Sequence, residues 1–351
     1  MENGITVGMD MGDKKHYICI LDAEGVVQHR GTVTNTAKAI RKRFETLEPC
    51  RVALEAGTHS AWVSRTLEDM GFEVLVGNPR KLRMIWDSDE KSDERDAEML
   101  ARIARFDPEL LYPIHHKGAE AQNDLAIIKS RDMLVKSRSM LITHVRGIVK
   151  CTGARIGACS TEAFHKRLAE DMPKELEPAL EPIMKNIEDL TQRIRHYDKL
   201  IEKVAEEKYP EAAVVRQITG VGALTATAFV LTVENVERFE KSRDVGSFVG
   251  LTPRRDQSGQ IDKQLRITKA GDAYLRRLLV GCAQYIMGPF GPDCDLKRFG
   301  LKLAERGGKN AKRRAVVAVA RKLAIKMHSL WKSGETYEPF HNEIRKEKKI
   351  A

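Results

Sequence analysis

The sequence predicts a mixed α/β domain followed by a mostly helical remainder, and three observations carry that expectation. Short strand-like runs alternate with amphipathic helical segments up to about residue 110. Strand signals then disappear until beyond residue 210, giving way to apolar residues at alternating spacings of three and four. Charge is also uneven: residues 1–110 hold 16 Lys/Arg and 20 Asp/Glu, residues 111–210 hold 17 and 15, and residues 211–351 hold 27 and 15. The net charge of +10 therefore belongs to the C-terminal part, as a surface that competes with counterions for phosphates requires. A solvated basic face is the alternative.

"ITVGMD", "HYICILD" and "VVQHRGTV" read as three strands joined by the turns "MGDKK" and "AEG", an antiparallel meander. A helix "TAKAIRKRFETLE", a strand "RVALEAG", a helix "SAWVSRTLEDM" and a strand "FEVLVGN" follow. The segment "KSDERDAEMLARIARF" continues as a helix, because Ala97, Met99, Leu100 and Ile103 extend an apolar stripe. The order β-β-β-α-β-α-β-α implies a mixed sheet with helices on its faces. Farther on, Leu180, Ile183, Ile187, Leu190, Ile194, Tyr197, Ile201 and Val204 form a heptad seam, pairing with "AIIKSRDMLVKSRSMLITHVRGIV" as an antiparallel hairpin or with a second chain as a coiled coil. Pro173, Pro178 and Pro182 predict a broken lead-in to that helix. In "RQITGVGALTATAF", Gly220 and Gly222 fit a helix-hairpin-helix whose backbone N–H groups approach a phosphate, or a plain interhelical turn. A helix, a glycine-punctuated loop "TPRRDQSGQ", another amphipathic helix, a basic helix "NAKRRAVVAVARKLAIKMHSLW" and a tail complete the chain.

With 351 residues and 42% apolar content the chain can bury cores and form more than one domain. No apolar run reaches the roughly 18 residues of a membrane helix and no signal-peptide pattern opens the chain, so a cytoplasmic protein without membrane contact is expected. The six cysteines (Cys19, Cys50, Cys151, Cys159, Cys282, Cys294) are scattered, which indicates neither a zinc site nor a disulfide framework.

Asp10 closes the first strand on the face opposite Val7 and Met9, and Glu55 closes the fourth. A buried carboxylate needs a cation or a metal, and Arg51 or a lysine is the plain alternative. Asp93 and Asp96 share a helix face three residues apart. Taken alone they read as an N-cap and a first-turn acid. If the helix packs beneath the strand ends, four carboxylates converge, and such hard oxygen donors select Mg2+ or Mn2+. Glu94 and Glu98, off that face, are expected to be solvent-facing. Residues 254–277 hold seven cations (Arg254, Arg255, Lys263, Arg266, Lys269, Arg276, Arg277) against Asp256, Asp262 and Asp272, enough to hold a phosphodiester near the hydroxyl of Ser258, although composition alone favours an ordinary exposed turn serine there.

Asp, Glu and Asp-x-x-Asp on this frame resemble the RuvC-like branch of the ribonuclease H fold. "GMD", "ALEAGTHS", "KSDERDAEMLARIAR", "ITGVGALTATA" and "FVGLTPRRDQSGQIDKQLRITKAGDAYLRRLLV" together resemble the DEDD transposases of the bacterial insertion-sequence 110 family, including Piv-type DNA invertases. The resemblance covers nearly the whole chain. It implies a RuvC-like catalytic domain at 1–110, a helical linker and coiled coil at 111–210, a C-terminal transposase domain at 211–335 and a basic tail at 336–351. Asp10, Glu55, Asp93 and Asp96 would bind the divalent metal, and Ser258 would be the nucleophile that leaves a covalent phosphoserine link to DNA. Donor and target DNA, an element-encoded noncoding guide RNA and assembly as a dimer or tetramer at the nucleoid are implied as well. A RuvC-like nuclease using water, an invertase without guide RNA and a non-catalytic nucleic-acid-binding protein are the competing readings.

Overall fold

A computed structural model describes residues 4–82, 92–259 and 261–341. Its chain divides into two units, Met1–Lys117 and Gly118–Ala351.

In the first unit, β1 (Thr6–Met11), β2 (Lys15–Leu21) and β3 (Val27–Thr34) form the antiparallel meander. α1 (Ala37–Phe44) leads to β4 (Arg51–Glu55), and α2 (Ser60–Glu68) leads to β5 (Glu73–Gly77). β4 pairs parallel to both β1 and β5, giving the order β3-β2-β1-β4-β5. The helix α3 (Asp93–Phe106) completes the unit's named elements. Period-two alternation gives each central strand two buried faces. Val7, Met9, Val52 and Leu54 pack with Ile40, Phe44, Val63 and Leu67 of α1 and α2. The opposite face carries small residues, and there Cys19 and Leu21 meet Ala97 and Ala101 of α3, while Ala53 meets Leu100 and Ala104.

The second unit opens with two long helices, α4 (Ala119–Cys151) and α6 (Glu177–Lys208), with α5 (Phe164–Asp171) between them. They form an antiparallel hairpin within the chain. Lys208 bonds Asp124, Arg131 bonds Asp198 and Arg138 bonds Thr191, so advancing on one helix means retreating on the other. Of the heptad seam, Leu180, Ile187, Ile194 and Ile201 are buried, whereas Ile183, Leu190, Tyr197 and Val204 are half-buried. The broken lead-in expected from the prolines is found at Pro173, where extended backbone and a short 3-10 turn (Lys174–Leu176) separate α5 from α6, but not at Pro178 or Pro182, since α6 runs unbroken from Glu177. Pro178 sits in the first turn, where an N–H has no intrahelical partner to lose. Pro182 removes one hydrogen bond near the helix end, beside the buried Leu180 and Ile187.

α7 (Glu211–Arg216), α8 (Ala223–Val233) and α9 (Val245–Phe248) follow, then a two-stranded hairpin of β6 (Pro253–Ser258) and β7 (Ile261–Ile267), then α10 (Ala273–Met287), α11 (Asp295–Ala304) and α12 (Ala311–Ser333). α8 is apolar all round and lies at the centre, its Phe229 fully buried among residues of α10 and α12 such as Leu279 and Leu323. The same core takes in Leu125 and Ile128 of α4 and Ile201 of α6. Where the sequence predicts a loop at "TPRRDQSGQ", the chain forms a strand, because Gly259, at φ 55, takes up a backbone conformation that lets β6 pair antiparallel with β7. Residues of the tail from 342 onward lie outside the described residues.

Candidate active site

Asp10 and Glu55 end neighbouring parallel strands. β1 and β4 pair with Met9 beside Leu54, so Asp10 and Glu55 stand one ladder step farther on, both half-buried. α3 crosses the same face in the opposite direction. Its C-terminal end lies at the strand starts, where Arg105 donates to the Gly4 carbonyl and Arg51 donates to the Ala104 carbonyl. Its middle lies on Gly8, where a Cβ would meet the Ala97 carbonyl oxygen at 1.9 Å. The first turn of α3, with Asp93 and Asp96, therefore comes to the strand ends that carry Asp10 and Glu55. All four acidic positions share one end of the sheet. Among the described residues, however, no three His, Cys, Asp or Glu side chains converge as a metal-ion site. Asp10, Glu55 and Asp96 each take part in an interaction of their own.

The start of α3 corrects the capping expectation. Ser92, not Asp93, is the N-cap: its backbone is extended at φ −149 and its Oγ accepts from the Arg95 N–H. Asp93 then occupies the first helical position and Asp96 the fourth, both still where the helix dipole favours anions. Neither aspartate is needed as the cap.

Two charge expectations also change. Glu98 is not solvent-facing, since its carboxylate accepts from Arg30 at 2.6 Å and from Arg102 at 2.8 Å and ties α3 to β3. Those hydrogen bonds, Arg30's first, hold its pKa below the usual carboxylate range despite partial burial. Glu94 is exposed and 3.4 Å from Arg30. Arg51, the candidate cation for the strand-end acids, instead makes a two-pronged pair with Glu73 on the neighbouring strand β5.

Sequence reasoning passed over His59 and Asp13, which belong to the same end of the sheet. Trp62 donates from Nε1 to His59 Nδ1, and His59 Nε2 lies 3.4 Å from Asp13 Oδ1. The available signal was the histidine four residues beyond Glu55, at the entry to α2.

Ser258 closes β6, exposed and paired with Ile261 across the turn. Asp256 and Lys263 are directly paired two residues back and share its face by strand alternation. Arg254, Arg255, Lys263, Arg266 and Lys269 are all exposed, and Arg255 pairs with Asp262 at 2.6 Å. The hairpin's base explains the glycines around it. A Cβ on Gly250 (φ 70) would lie 2.2 Å from the Ala270 carbonyl oxygen, and one on Gly271 (φ 65) would lie 1.9 Å from that of Phe248. Lys269, at φ 55, donates its N–H to the Gly250 carbonyl. Arg276 donates to the carbonyls of Val249 and Ala270, so its guanidinium holds this base together. Arg277 pairs with Asp132 of α4 and covers the ring of Tyr274, whose pKa burial pushes up to about 12.

Gly220 and Gly222 lie between α7 and α8. Gly220 has φ 92 and packs against Tyr285 and Ile286, while Gly222 caps α8 with no atom within 4 Å of where its Cβ would be. Gly222 thus leaves open space at a helix N-terminus, as close approach of a phosphate requires.

Residues 7–152 match the DEDD-type IS110 family model described as a transposase, and residues 212–294 match a model described as transposase IS116/IS110/IS902 family. The transposase for insertion sequence element IS1111A of Coxiella burnetii is 30% identical over 94% of this chain and 90% of its own length. A probable family 20 transposase of Pseudomonas aeruginosa is 25% identical over 95% of this chain and 98% of its own. A pilin gene-inverting protein of Moraxella lacunata is 25% identical over 66% of this chain and 63% of its own. With both its sheet domain and its hairpin-bearing domain matched, the chain belongs to the insertion-sequence 110 family of transposases.

Proposed function

We propose that this protein is a DNA transposase or site-specific recombinase that cuts and rejoins strands through Ser258, assisted by a divalent metal. The reading is supported by the strand register of Asp10 and Glu55 and by the close approach of α3 to β1 at Gly8, which brings the helix turn bearing Asp93 and Asp96 toward the same end of the sheet. The frame of a three-strand antiparallel meander continued by parallel strands supports a RuvC-like domain at 1–110, and the exposed hairpin supports a separate nucleophile-bearing domain at 211–335.

The donor set fits a hard cation: four carboxylates and no soft ligand. Asp10, Glu55, Asp93 and Asp96 would hold Mg2+ or Mn2+, which when bound would polarise the scissile phosphate and stabilise its developing charge. Ser258 Oγ gives up its proton to solvent and forms a bond to phosphorus as the bond to the departing sugar oxygen breaks, that oxygen taking up a proton, so the strand is held as a phosphoserine ester. Arg254 and Lys263, on the same hairpin, bind the phosphate oxygens, and the exposure of Ser258 lets a DNA strand reach it. Gly220 and Gly222 offer backbone N–H groups to a second phosphate in the manner of a helix-hairpin-helix. Donor and target DNA are the substrates, selected by pairing with an element-encoded noncoding RNA. The half-buried row Ile183, Leu190, Tyr197 and Val204 supports oligomers, dimeric or tetrameric, through a coiled coil. The protein acts in the cytoplasm at the nucleoid.

Ser258→Ala is the test. It is expected to abolish both strand transfer and the covalent protein–DNA adduct while leaving DNA affinity and melting temperature unchanged, because the hydroxyl is exposed. Cleavage retained without an adduct would replace the reading by a nuclease that uses water. Sequencing RNA that copurifies with the protein tests guidance, and the lack of a discrete species would favour an invertase acting without a guide, as the pilin gene-inverting relative's name brings to mind. Metal binding is read separately by titrating Mn2+ into Asp10→Asn, which is expected to bind more weakly than the parent.

A further inference from the structure

The basic character of the C-terminal unit is concentrated away from the Ser258 hairpin. Residues 296–333 hold twelve Lys/Arg and a single acid, Glu305. Half of the cations lie between 302 and 314, where α11 turns into α12: Lys302, Arg306, Lys309, Lys312, Arg313 and Arg314.

The fold holds these six at one end of a helical hairpin. α11 and α12 run antiparallel, with Gly300 against Val319 and Lys322 Nζ 4.1 Å from the Phe299 ring centroid. Gly307 (φ 74) and Gly308 (φ 91) make the reversal in a backbone region that L side chains avoid. All six cationic side chains are exposed, and among the described residues none forms an ion pair. That contrasts with the cations nearby: Arg298 is bound to Asp293, Lys297 to the carbonyls of Gly288 and Gly291, and Lys332 to Glu237. Six like charges crowded around one acid, Glu305, and held in no ion pair among the described residues repel one another, and a polyanion would relieve that repulsion. Buried structural roles are absent too, since the apolar contacts of this hairpin come from Leu296, Phe299, Ala315 and Val319.

We infer that the α11–α12 turn is a second nucleic-acid-binding surface, which grips the phosphodiester backbone without reading bases. Long flexible ammonium and guanidinium groups supply charge and no fixed base-edge pattern, so binding there is independent of sequence and falls steeply with salt. This inference rests on the reading of the chain as an enzyme acting on DNA, and it adds an anchoring site that the nucleophile's hairpin does not include.

The experiment compares full-length wild type with K309Q/K312Q/R313Q/R314Q by fluorescence anisotropy, using two short duplex DNAs of unrelated sequence and an RNA hairpin as probes over a series of salt concentrations. Loss of four phosphate contacts is expected to weaken duplex binding more than about tenfold and to lower the slope of log affinity against log salt by about 3 to 4. Both duplexes should lose equally, and Glu305→Lys, which removes the one acid, should tighten binding. A control with equal charge loss on α6, K185Q/R193Q/K199Q/K203Q, is expected to bind as wild type does. Loss confined to the RNA probe would support the surface and identify RNA as its occupant. Unchanged affinity for every probe, an equal loss in the α6 control, or a loss on one duplex alone would overturn the inference. Its failure is distinguishable from that of the catalytic reading, because Ser258→Ala tests strand transfer without touching these six residues.

Discussion

Replacing Gly8 by alanine puts a Cβ 1.9 Å from the Ala97 carbonyl oxygen, 2.6 Å from the Ala101 amide nitrogen and 3.0 Å from the Ala101 Cβ. Comfortable non-bonded contacts lie near about 3.5 Å, and the first two neighbours are helix backbone, which cannot swing aside as a side chain would. To accept the methyl group, α3 must move off β1 by more than about 1 Å, and overpacking of this kind costs about 1 to 3 kcal/mol. The first turn of α3 moves with the helix, carrying Asp93 and Asp96 away from the strand ends of Asp10 and Glu55. If these acids act as proposed, misplacing them by about 1 Å can cost on the order of 100-fold in rate. Gly8→Ala is therefore expected to lower the melting temperature by several degrees and to cut strand transfer of the element by about two orders of magnitude. Gly147→Ala is the matched control, because no atom lies within 4 Å of its Cβ position and it sits inside α4, where alanine favours the helix. Wild-type melting and strand transfer in Gly8→Ala would refute the close packing of α3 on β1 and its role in assembling the acids.

Other expectations follow from the second unit. Gly220→Ala must hold an L residue at φ 92 against Tyr285 and Ile286, so chemical denaturation should show a loss of about 1 to 2 kcal/mol, whereas Gly222→Ala should be near neutral. Burial, the largest cause, pushes the His328 pKa below its ordinary 6.5, and its ring bridges the Ser242 hydroxyl at 3.0 Å and the Val236 carbonyl at 2.9 Å. A lowered histidine binds its proton less well folded than unfolded, so stability is full above pH 6.5 and falls as pH drops through that value toward the folded one. Melting curves from neutral to mildly acidic pH should show this decline, and His328→Gln should flatten it; an equal decline in the variant would assign the effect to other groups.

Much of the fold was legible because its signals are local. Alternating apolar residues in β1, β2 and β4 and the stripe from Ala97 to Ile103 are consequences of period two and period 3.6, and neither depends on distant residues. The acids Asp10 and Glu55 could be picked out for the same reason, as polar residues closing strands built for burial. Other features depend on pairings across the chain. Nothing local says that Glu98 will be taken by Arg30, 68 residues away in sequence, or that Arg51 will be taken by Glu73 rather than by a strand-end acid. The Ser92 cap was missed because serine and aspartate are near-equal caps, so the choice fell to the backbone path into α3. The strand at 253–258 was missed because its residues are polar and exposed on both faces, and its pairing with β7 is fixed by the turn at Gly259 and the glycine-packed base.

By itself, the sequence determined the order of elements up to about residue 110, the basic C-terminal unit, the acidic positions and the motif around Ser258, since each is written in residue type and spacing. Only the tertiary structure decided that the heptad seam closes on α4 within the chain and that the four acids share one end of the sheet. It also decided that, among the described residues, the six cations at the α11–α12 turn form no ion pair. Those outcomes depend on which surfaces approach closely enough to exclude water, and close approach is set by small residues such as Gly8, Ala97 and Ala101 meeting from opposite ends of a domain.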